Sequence, residues 1–423
     1  MTSHTPPLRQ LRAFFAVAKS QSVTRAAQAI NLSQPAVTQL IANLEANLDA
    51  SLFSRTPTGS YLTPLGEVFL TRVERVLAHM EDALCEPAIG TPFASRESVR
   101  AMLIKISSHH VRALLSIADS SSFDEAARQI GVSQPSLQRA ARELERIVER
   151  PLYHRTASGM NVTRPASELA RRFSIAMREV EYGLEEIEAA RGLFTGRFTI
   201  GAIPLAGVSL LALALNDLLD AFPNTQIEIR DGRYEPMLAE LRSGKVDILY
   251  GILRCPPEIE DVVEVPMFRD RYRIVVRRGH PLTRRKVIGV KDLAEYDWIL
   301  PGVGNPRRRV VELLFEGAAR QPHVRIETSS IPAHKAILAS SNRITLLTES
   351  EIKDQSDRLT ALPFEGLAPR RPEGIAIRRG WKPTLIQQHF VKLLERHAQA
   401  WMSGAHYDLP GEFASTAILS QNL

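Results

Sequence analysis

Ser33-Gln34-Pro35 returns later in the chain as Ser133-Gln134-Pro135, and the reading of the whole sequence turns on that recurrence. Its neighbours return with it. Ala26-Ala27, Leu44-Glu45, Leu52-Phe53, Arg55-Thr56, Gly59 and Thr63 become Ala126-Ala127, Leu144-Glu145, Leu152-Tyr153, Arg155-Thr156, Gly159 and Thr163. The offset is 100 residues throughout, without a gap, and 18 of the 53 positions in 11–63 match their counterparts in 111–163. Two copies far apart in the chain describe a duplicated domain and not a solenoid.

Within the first copy, Leu11, Phe14, Phe15 and Ala18 form an i, i+3, i+4, i+7 stripe, which predicts an amphipathic helix over 8–20. Ser22 is placed to cap a second helix carrying Ala26, Ala27 and Ile30, small residues that permit a close helix crossing. A short turn, Asn31-Leu32-Ser33, leads to a third helix in which Ser33 is the cap and Pro35 occupies the first turn, where its missing N–H costs nothing. Val37, Leu40, Ile41, Leu44 and Leu48 would be its buried face, leaving Gln34, Thr38, Gln39 and Asn43 on the open one. A helix, a tight turn and a second helix with an amide-rich open face is a geometry suited to the major groove. Two short extended runs around Pro57 and Gly59 then predict a hairpin, or wing, with Arg55 placed for phosphate or a groove edge. Thr63-Pro64 opens a further helix to residue 84. The second copy repeats each step, with Gly131 in its turn and Gln134, Gln138, Arg139 and Arg142 on its open face.

Each copy resembles the winged helix-turn-helix of LysR-type transcriptional regulators. The resemblance rests on Ser-Gln-Pro, Leu-Glu, Leu-Phe-x-Arg-Thr and the Gly…Leu-Thr-Pro stretch taken together. It implies that Ser33, Gln34, Pro35, Thr38, Gln39 and Arg55 face DNA, with Ser133, Gln134, Pro135, Gln138, Arg139 and Arg155 as their matches. The family normally carries one such domain, so the second copy is a departure. Residue 39 is Gln where the family often has a basic residue, and Arg139 fits that pattern, whereas Arg164 and Ala166 replace Pro64 and Gly66 beside the second wing. A helix-turn-helix can also persist as a packing or dimerisation module. Charge ranks the copies: 8–63 carries five Lys/Arg against two Asp/Glu, and 108–163 carries seven against six, which offsets part of the attraction to phosphate.

With 423 residues, two to four domains are expected. Apolar residues make up 44%, enough for a sizeable core, and the formal charge of +6 with pI about 9.4 permits nucleic-acid binding without requiring it. Cys85 and Cys255 lie far apart with no CxxC or His cluster, which fits a reducing cytoplasm and argues against a metal site. No cofactor is indicated. No stretch approaches 18 unbroken apolar residues, so no membrane partner is expected, and residues 1–7 do not read as a signal peptide. His109-His110 is too isolated for a metal site and reads as a helix start. Gly-x-Ser-x-Gly, P-loop, His-Glu-x-x-His and Gly-x-Gly-x-x-Gly patterns are all missing, so no enzyme is indicated.

The expected organisation is winged domain 1 at 6–65, helix and linker at 66–105 (the linker over 86–100), winged domain 2 at 106–165 and a linker or dimerisation helix at 166–192. An effector-binding domain follows at 193–402, with a flexible tail at 403–423. From Gly196 the pattern alternates strand, helix, strand, helix, strand, which predicts a largely parallel sheet covered on both faces. This half resembles the family's effector domain, a periplasmic-binding-protein-like fold of two α/β subdomains, here about 196–265 with 366–402, and 266–365. The fold class is therefore multidomain: two helix-rich winged helix-turn-helix domains followed by that α/β domain. Ligands of such folds sit at strand C-termini and helix N-termini. That nominates Pro204, Leu205, Gly251, Thr328, Ser329, Ser330 and Thr348 for a carboxylate or a sugar, against the competing reading of local turns and caps. Arg307-Arg308-Arg309 reads as an anion site or a solvated face.

The function so implied is a cytoplasmic regulator that binds double-stranded DNA and answers to a small-molecule effector. Effector binding would bias subdomain closure and the spacing of the winged helices in a homo-oligomer, dimer or tetramer. RNA polymerase is among the partners the resemblance implies. The first competing reading is a ligand-binding sensor whose winged domains mediate protein assembly, which would lack a steep salt dependence on DNA. The second is an enzyme or transport protein built on the same cleft, which turnover of a bound metabolite would reveal.

Overall fold

The computed structural model describes residues 5–85, 95–156, 159–203, 208–254, 259–353, 357–368 and 370–403. The N-terminal portion begins α1 (Leu8–Ser20), α2 (Val23–Ala29), α3 (Gln34–Leu48), β1 (Phe53–Thr56), β2 (Gly59–Leu62) and α4 (Pro64–Cys85). After α5 (Arg96–Lys105) come α6 (Ser108–Asp119), α7 (Phe123–Ile130), α8 (Gln134–Val148), β3 (Tyr153–Thr156), β4 (Gly159–Val162) and α9 (Arg164–Ala190). Each hairpin is antiparallel, and the pairs Arg55↔Ser60 and Arg155↔Met160 occupy the same register.

The apolar stripes read from the sequence are the core. Leu11, Phe14, Val37, Ile41 and Leu44 are buried, as are Leu114, Leu137, Ala141 and Leu144. Phe14 packs against Phe53 and Phe69 with ring centroids 5.4 and 5.3 Å apart, tying α1 to the wing and to α4. Asn31 (φ +53°) and Gly131 (φ +69°) are both left-handed, as the turn between the helices demands, and Asn is the side chain that tolerates this best after Gly. The expected linker over 86–100 is corrected at its C-terminal end. Ser95 accepts from the Ser98 amide and opens α5, whose Val99 and Leu103 are buried.

The C-terminal portion runs β5 (Arg197–Ala202), α10 (Val208–Ala221), β6 (Gln226–Asp231), α11 (Tyr234–Ser243), β7 (Ile248–Ile252), β8 (Val262–Phe268) and β9 (Tyr272–Arg277). It continues with α12 (Val290–Leu293), β10 (Asp297–Leu300), α13 (Pro306–Leu314), β11 (His323–Glu327), α14 (Ile331–Ala339) and β12 (Ile344–Thr348). It closes with α15 (Glu349–Lys353), β13 (Leu359–Ala361), β14 (Glu373–Arg378) and α16 (Leu385–Ser403). Two five-stranded sheets form, ordered β6-β5-β7-β14-β8 and β11-β10-β12-β9-β13. The second is mixed: β10 pairs in parallel with β11 and β12, while β9 pairs antiparallel with β12 and β13.

Successive residues of that sheet enter opposite cores. Ile274, Val276, Trp298, Leu300 and Leu346 pack on one face, and Val275, Ile299 and Leu347 join Leu338 of α14 on the other. This is why β9 and β10 carry the unbroken apolar stretches Ile274-Val275-Val276 and Trp298-Ile299-Leu300, whereas the edge strand β11 alternates. Strand β8, unrecognised in the sequence, contains Pro266. It lies at the edge of its sheet, where a missing N–H is tolerated, and pairs with β14 at Gly374, whose Cβ would stand 2.1 Å from the Val265 carbonyl oxygen.

By contact density the chain forms two compact units, Met1–Gly201 with Leu218–Leu249 and Lys382–His389, and Ala202–Asp217 with Tyr250–Trp381 and Phe390–Leu423. Among the described residues no helix is long and apolar enough to cross a membrane.

Candidate nucleic-acid interface

Helix α3 is built to show one face. The Ser33 hydroxyl accepts from the Ala36 amide at 3.4 Å, and Pro35 fills the first turn. Ser133 does the same for Ser136 at 3.4 Å, again with Pro135 behind it. These serines therefore set the start of each helix. Gln34, Pro35, Gln39 and Asn43 are exposed and Thr38 is half-buried, its hydroxyl donating to the Gln34 carbonyl at 3.0 Å. Gln39 donates to Asn43 at 2.8 Å, a pair one turn apart that holds both amides on the open face. On α8, Gln134, Pro135, Arg139 and Arg142 are exposed and Gln138 is half-buried.

The wings are fixed by a carboxylate in each case. Glu45 accepts from the Leu52 and Phe53 amides at 2.7 and 3.1 Å, and Glu145 accepts from Leu152 and Tyr153 at 2.8 and 3.1 Å. Below them, Thr63 donates to the Ser51 carbonyl at 2.7 Å while accepting from Gly66. Thr163 repeats this with Pro151 at 3.1 Å and with Ala166. The Leu-Glu landmark thus fastens the hairpin to the recognition helix, and the Thr landmark ties the two ends of the hairpin to the start of the helix that follows. Arg55 is exposed on β1. Arg155 lies at the same register on β3, and its side chain falls outside the described residues.

What the sequence reading missed is the joint between α4 and α9. Arg72 is fully buried, donating to Glu179 at 2.7 Å and bidentately to Glu186, with a further bond to the Lys382 carbonyl at 2.9 Å. Arg75 donates to the other Glu179 oxygen at 2.8 Å. Burial alone would raise the Glu179 carboxyl, but His79, Arg75 and Arg72 outweigh it and hold it well below the usual carboxylate range. The long helix over 164–192 therefore pairs with α4 of its own chain. His110 is equally structural: its Nδ1 accepts from the Ser107 amide at 3.2 Å and completes a capping box at the start of α6.

The nominated effector residues are placed as follows. Pro204 and Leu205, and Cys255, lie outside the described residues. Gly251 is on β7 with φ +155°, where a Cβ would come within 2.7 Å of that of Ile203. The Thr328 hydroxyl accepts from the Ser330 amide at 3.1 Å, Ser330 caps α14, and Ser329 is exposed. Thr348 is buried, its amide donating to Glu351 at 2.8 Å and its hydroxyl lying 3.1 Å from that of Ser350. The run at 307–309 divides. Arg307 is buried, donating to Leu346 and Glu351 at 3.0 and 2.7 Å, whereas Arg308 pairs with Glu312 and Glu327 near the surface. Among the described residues no group of three or more His, Cys, Asp or Glu side chains could hold a metal ion.

A polar recognition helix pinned to a wing, followed by a two-sheet α/β domain, defines a DNA-binding regulator with an effector domain. Comparison with known proteins gives the family. The profile described as the LysR substrate binding domain matches 191–399, and that of the bacterial regulatory helix-turn-helix protein, lysR family, matches both 8–67 and 108–167. The chain belongs to the LysR family of transcriptional regulators. It is 27% identical over 378 residues to the HTH-type transcriptional regulator GalR of Pseudomonas putida, covering 89% of this chain and 93% of that protein. It is 28% identical to the HTH-type transcriptional regulator PcaQ of Agrobacterium fabrum over 66% of this chain and 91% of that one. Among solved structures, a full-length, singly substituted OxyR from Pseudomonas aeruginosa is similar in fold, with a TM-score of 0.50 at 21% identity, covering 69% of this chain and 94% of that chain. The relatives are transcriptional regulators, not enzymes.

Proposed function

We propose that this LysR regulator is a cytoplasmic, double-headed DNA-binding protein, in which residues 6–65 and 106–165 each read DNA and residues 193–402 bind a small carboxylate or sugar. The observation that carries the proposal is that both helix-turn-helix copies keep the same working geometry. Each has a serine-capped recognition helix with exposed polar residues, and each has a wing fastened by a glutamate. A copy retained only for packing has no need of an open polar face on its third helix. Ser329 is exposed at the start of α14, and the Thr328 and Ser330 hydroxyls, which accept from the Ser330 and Ala333 amides, keep their protons to donate to a carboxylate or sugar oxygen. Assembly into a homo-oligomer would multiply modest single-site affinities through effective concentration.

The test is a footprint on the DNA upstream of the protein's own gene, at two salt concentrations, comparing Arg55→Ala and Arg155→Ala with the parent. Each substitution is expected to weaken binding, to shorten a different part of the footprint, and to reduce the salt slope by about one phosphate contact. If Arg55→Ala alone has an effect, the second head is a spacer. If no footprint forms at low salt, with or without a panel of carboxylates and sugars, the winged domains serve assembly instead.

A further inference from the structure

The repeat offset reappears in space. The Leu8 amide donates to the Ser108 hydroxyl at 2.8 Å, and His79 Nε2 lies 3.9 Å from Glu179 Oε1. In both contacts a residue meets its own counterpart, 100 positions away. In a two-fold arrangement, residues touch their counterparts only where the axis passes. Two such points, one at the start of α1 and α6 and one within α4 and α9, define a line.

The helix contacts agree with an antiparallel crossing about that line. Phe69 and Arg72 are 3.1 Å from where a Cβ on Gly183 would stand, while Arg75 and His79, further along α4, meet Glu179, earlier on α9. At the far end of α9, Arg191 pairs with Asp49 at 3.0 Å, so α9 finishes beside the C-cap of α3 in the first head. Near the other axis point, Arg12 donates to the carbonyls of Ile104 and Ile106 at 3.0 and 2.8 Å. Both carbonyls lie just ahead of Ser108, so this contact joins α1 to the same approach to α6 that Leu8 meets.

We infer that one chain forms its own two-fold pair of DNA-reading heads, and that its target is an inverted repeat of two unlike half-sites. This rests on the reading above that both heads bind DNA. An axis relating α3 to α8 matches the dyad of a duplex whose half-sites face each other, because operator symmetry mirrors protein symmetry. The two halves differ because the reading faces differ. Thr38, Gln39 and Ala42 stand where the second head has Gln138, Arg139 and Arg142. Arginine in the major groove pairs bidentately with guanine O6 and N7, and glutamine or asparagine with adenine N6 and N7. The α8 half therefore specifies guanine at a position where the α3 half takes adenine.

Two measurements on the full chain test this. In the first, both native cysteines are replaced by serine, Asp49→Cys and Arg191→Cys are introduced, and a short bismaleimide is added. The expected product is a cross-link within one chain. Chains joined in pairs would overturn the intrachain arrangement. In the second, the full chain selects binding sites from a random-sequence duplex library. Enrichment of an inverted repeat with unlike halves is expected. Arg139→Gln is expected to lower affinity for that site by about tenfold and to remove the guanine preference from one half only. Gln39→Arg is expected to make the two halves converge. A direct repeat, a lone half-site or two identical halves from the parent would overturn the inference. An intrachain cross-link with no enriched sequence would instead overturn the DNA reading beneath it, while leaving the internal pairing in place.

Discussion

Arg72→Ala is expected to destabilise the first unit by about 3–5 kcal/mol, the cost of stranding buried carboxylates when one partner of a buried ion pair is removed. Arg72 is a fully buried guanidinium, and it answers Glu179, which is itself almost fully buried, and Glu186 together. Alanine would leave Glu179 with Arg75 and His79 only and would deprive Glu186 of its bidentate partner. It would also open a cavity between α4 and α9 beside Gly183, whose Cβ position would stand 3.1 Å from the Arg72 Cβ. Urea unfolding followed by circular dichroism is the measurement, and a loss below about 1 kcal/mol would sink the account, since that is the range of an ordinary surface pair. Arg72→Met combined with Glu179→Met should cost less than the two single changes added together, because the double change removes both charges and restores apolar volume.

That joint was hidden from a reading of the sequence for a definable reason. Arg72 sits in a helix whose apolar positions, Phe69, Val73 and Val76, already account for a buried stripe, and an arginine beside such a stripe reads as solvated. Its burial depends on Glu179, 107 residues further on, and no local pattern carries that information. The same holds for Glu45. The sequence marks it by its recurrence as Glu145, but only the folded chain shows its carboxylate on two wing amides.

Where one element decides its own structure, the residues were sufficient. Ser33 with Pro35 set the start of α3, and Val37, Ile41 and Leu44 set its buried face. α5 is an intermediate case. Val99, Met102, Leu103 and Ile106 have helical spacing, yet they follow a stretch whose Pro, Gly and Ser content reads as linker. β8 went unread because Pro266 interrupts it, and its tolerance depends on an edge position that only the sheet order establishes.

Glu185→Gln is expected to do the opposite of Arg72→Ala above neutral pH. Glu185 lies on α9 near the entry to β5, where its carboxylate receives the Arg197 amide at 3.4 Å. Burial pushes its carboxyl up to about 8, only partly countered by Arg178 and reinforced by Asp247 and Glu181. Arg178 is 3.5 Å away but already committed, bonding Asp247 at 3.0 and 2.9 Å and Glu181 at 2.7 Å. In the unfolded chain the same carboxyl titrates near 4.5. The folded state therefore binds the extra proton, and stability falls as pH rises between about 4.5 and about 8. Glutamine keeps the shape and cannot ionise. The variant should match the parent near pH 4 and exceed it by about 2–4 kcal/mol near pH 9, from roughly 1.4 kcal/mol for each tenfold change in proton affinity, with allowance for Arg178. Denaturant unfolding of parent and variant across that range gives the difference directly. A flat difference would show that Glu185 is ionised in the folded chain and that Arg178 serves it as fully as it serves Asp247.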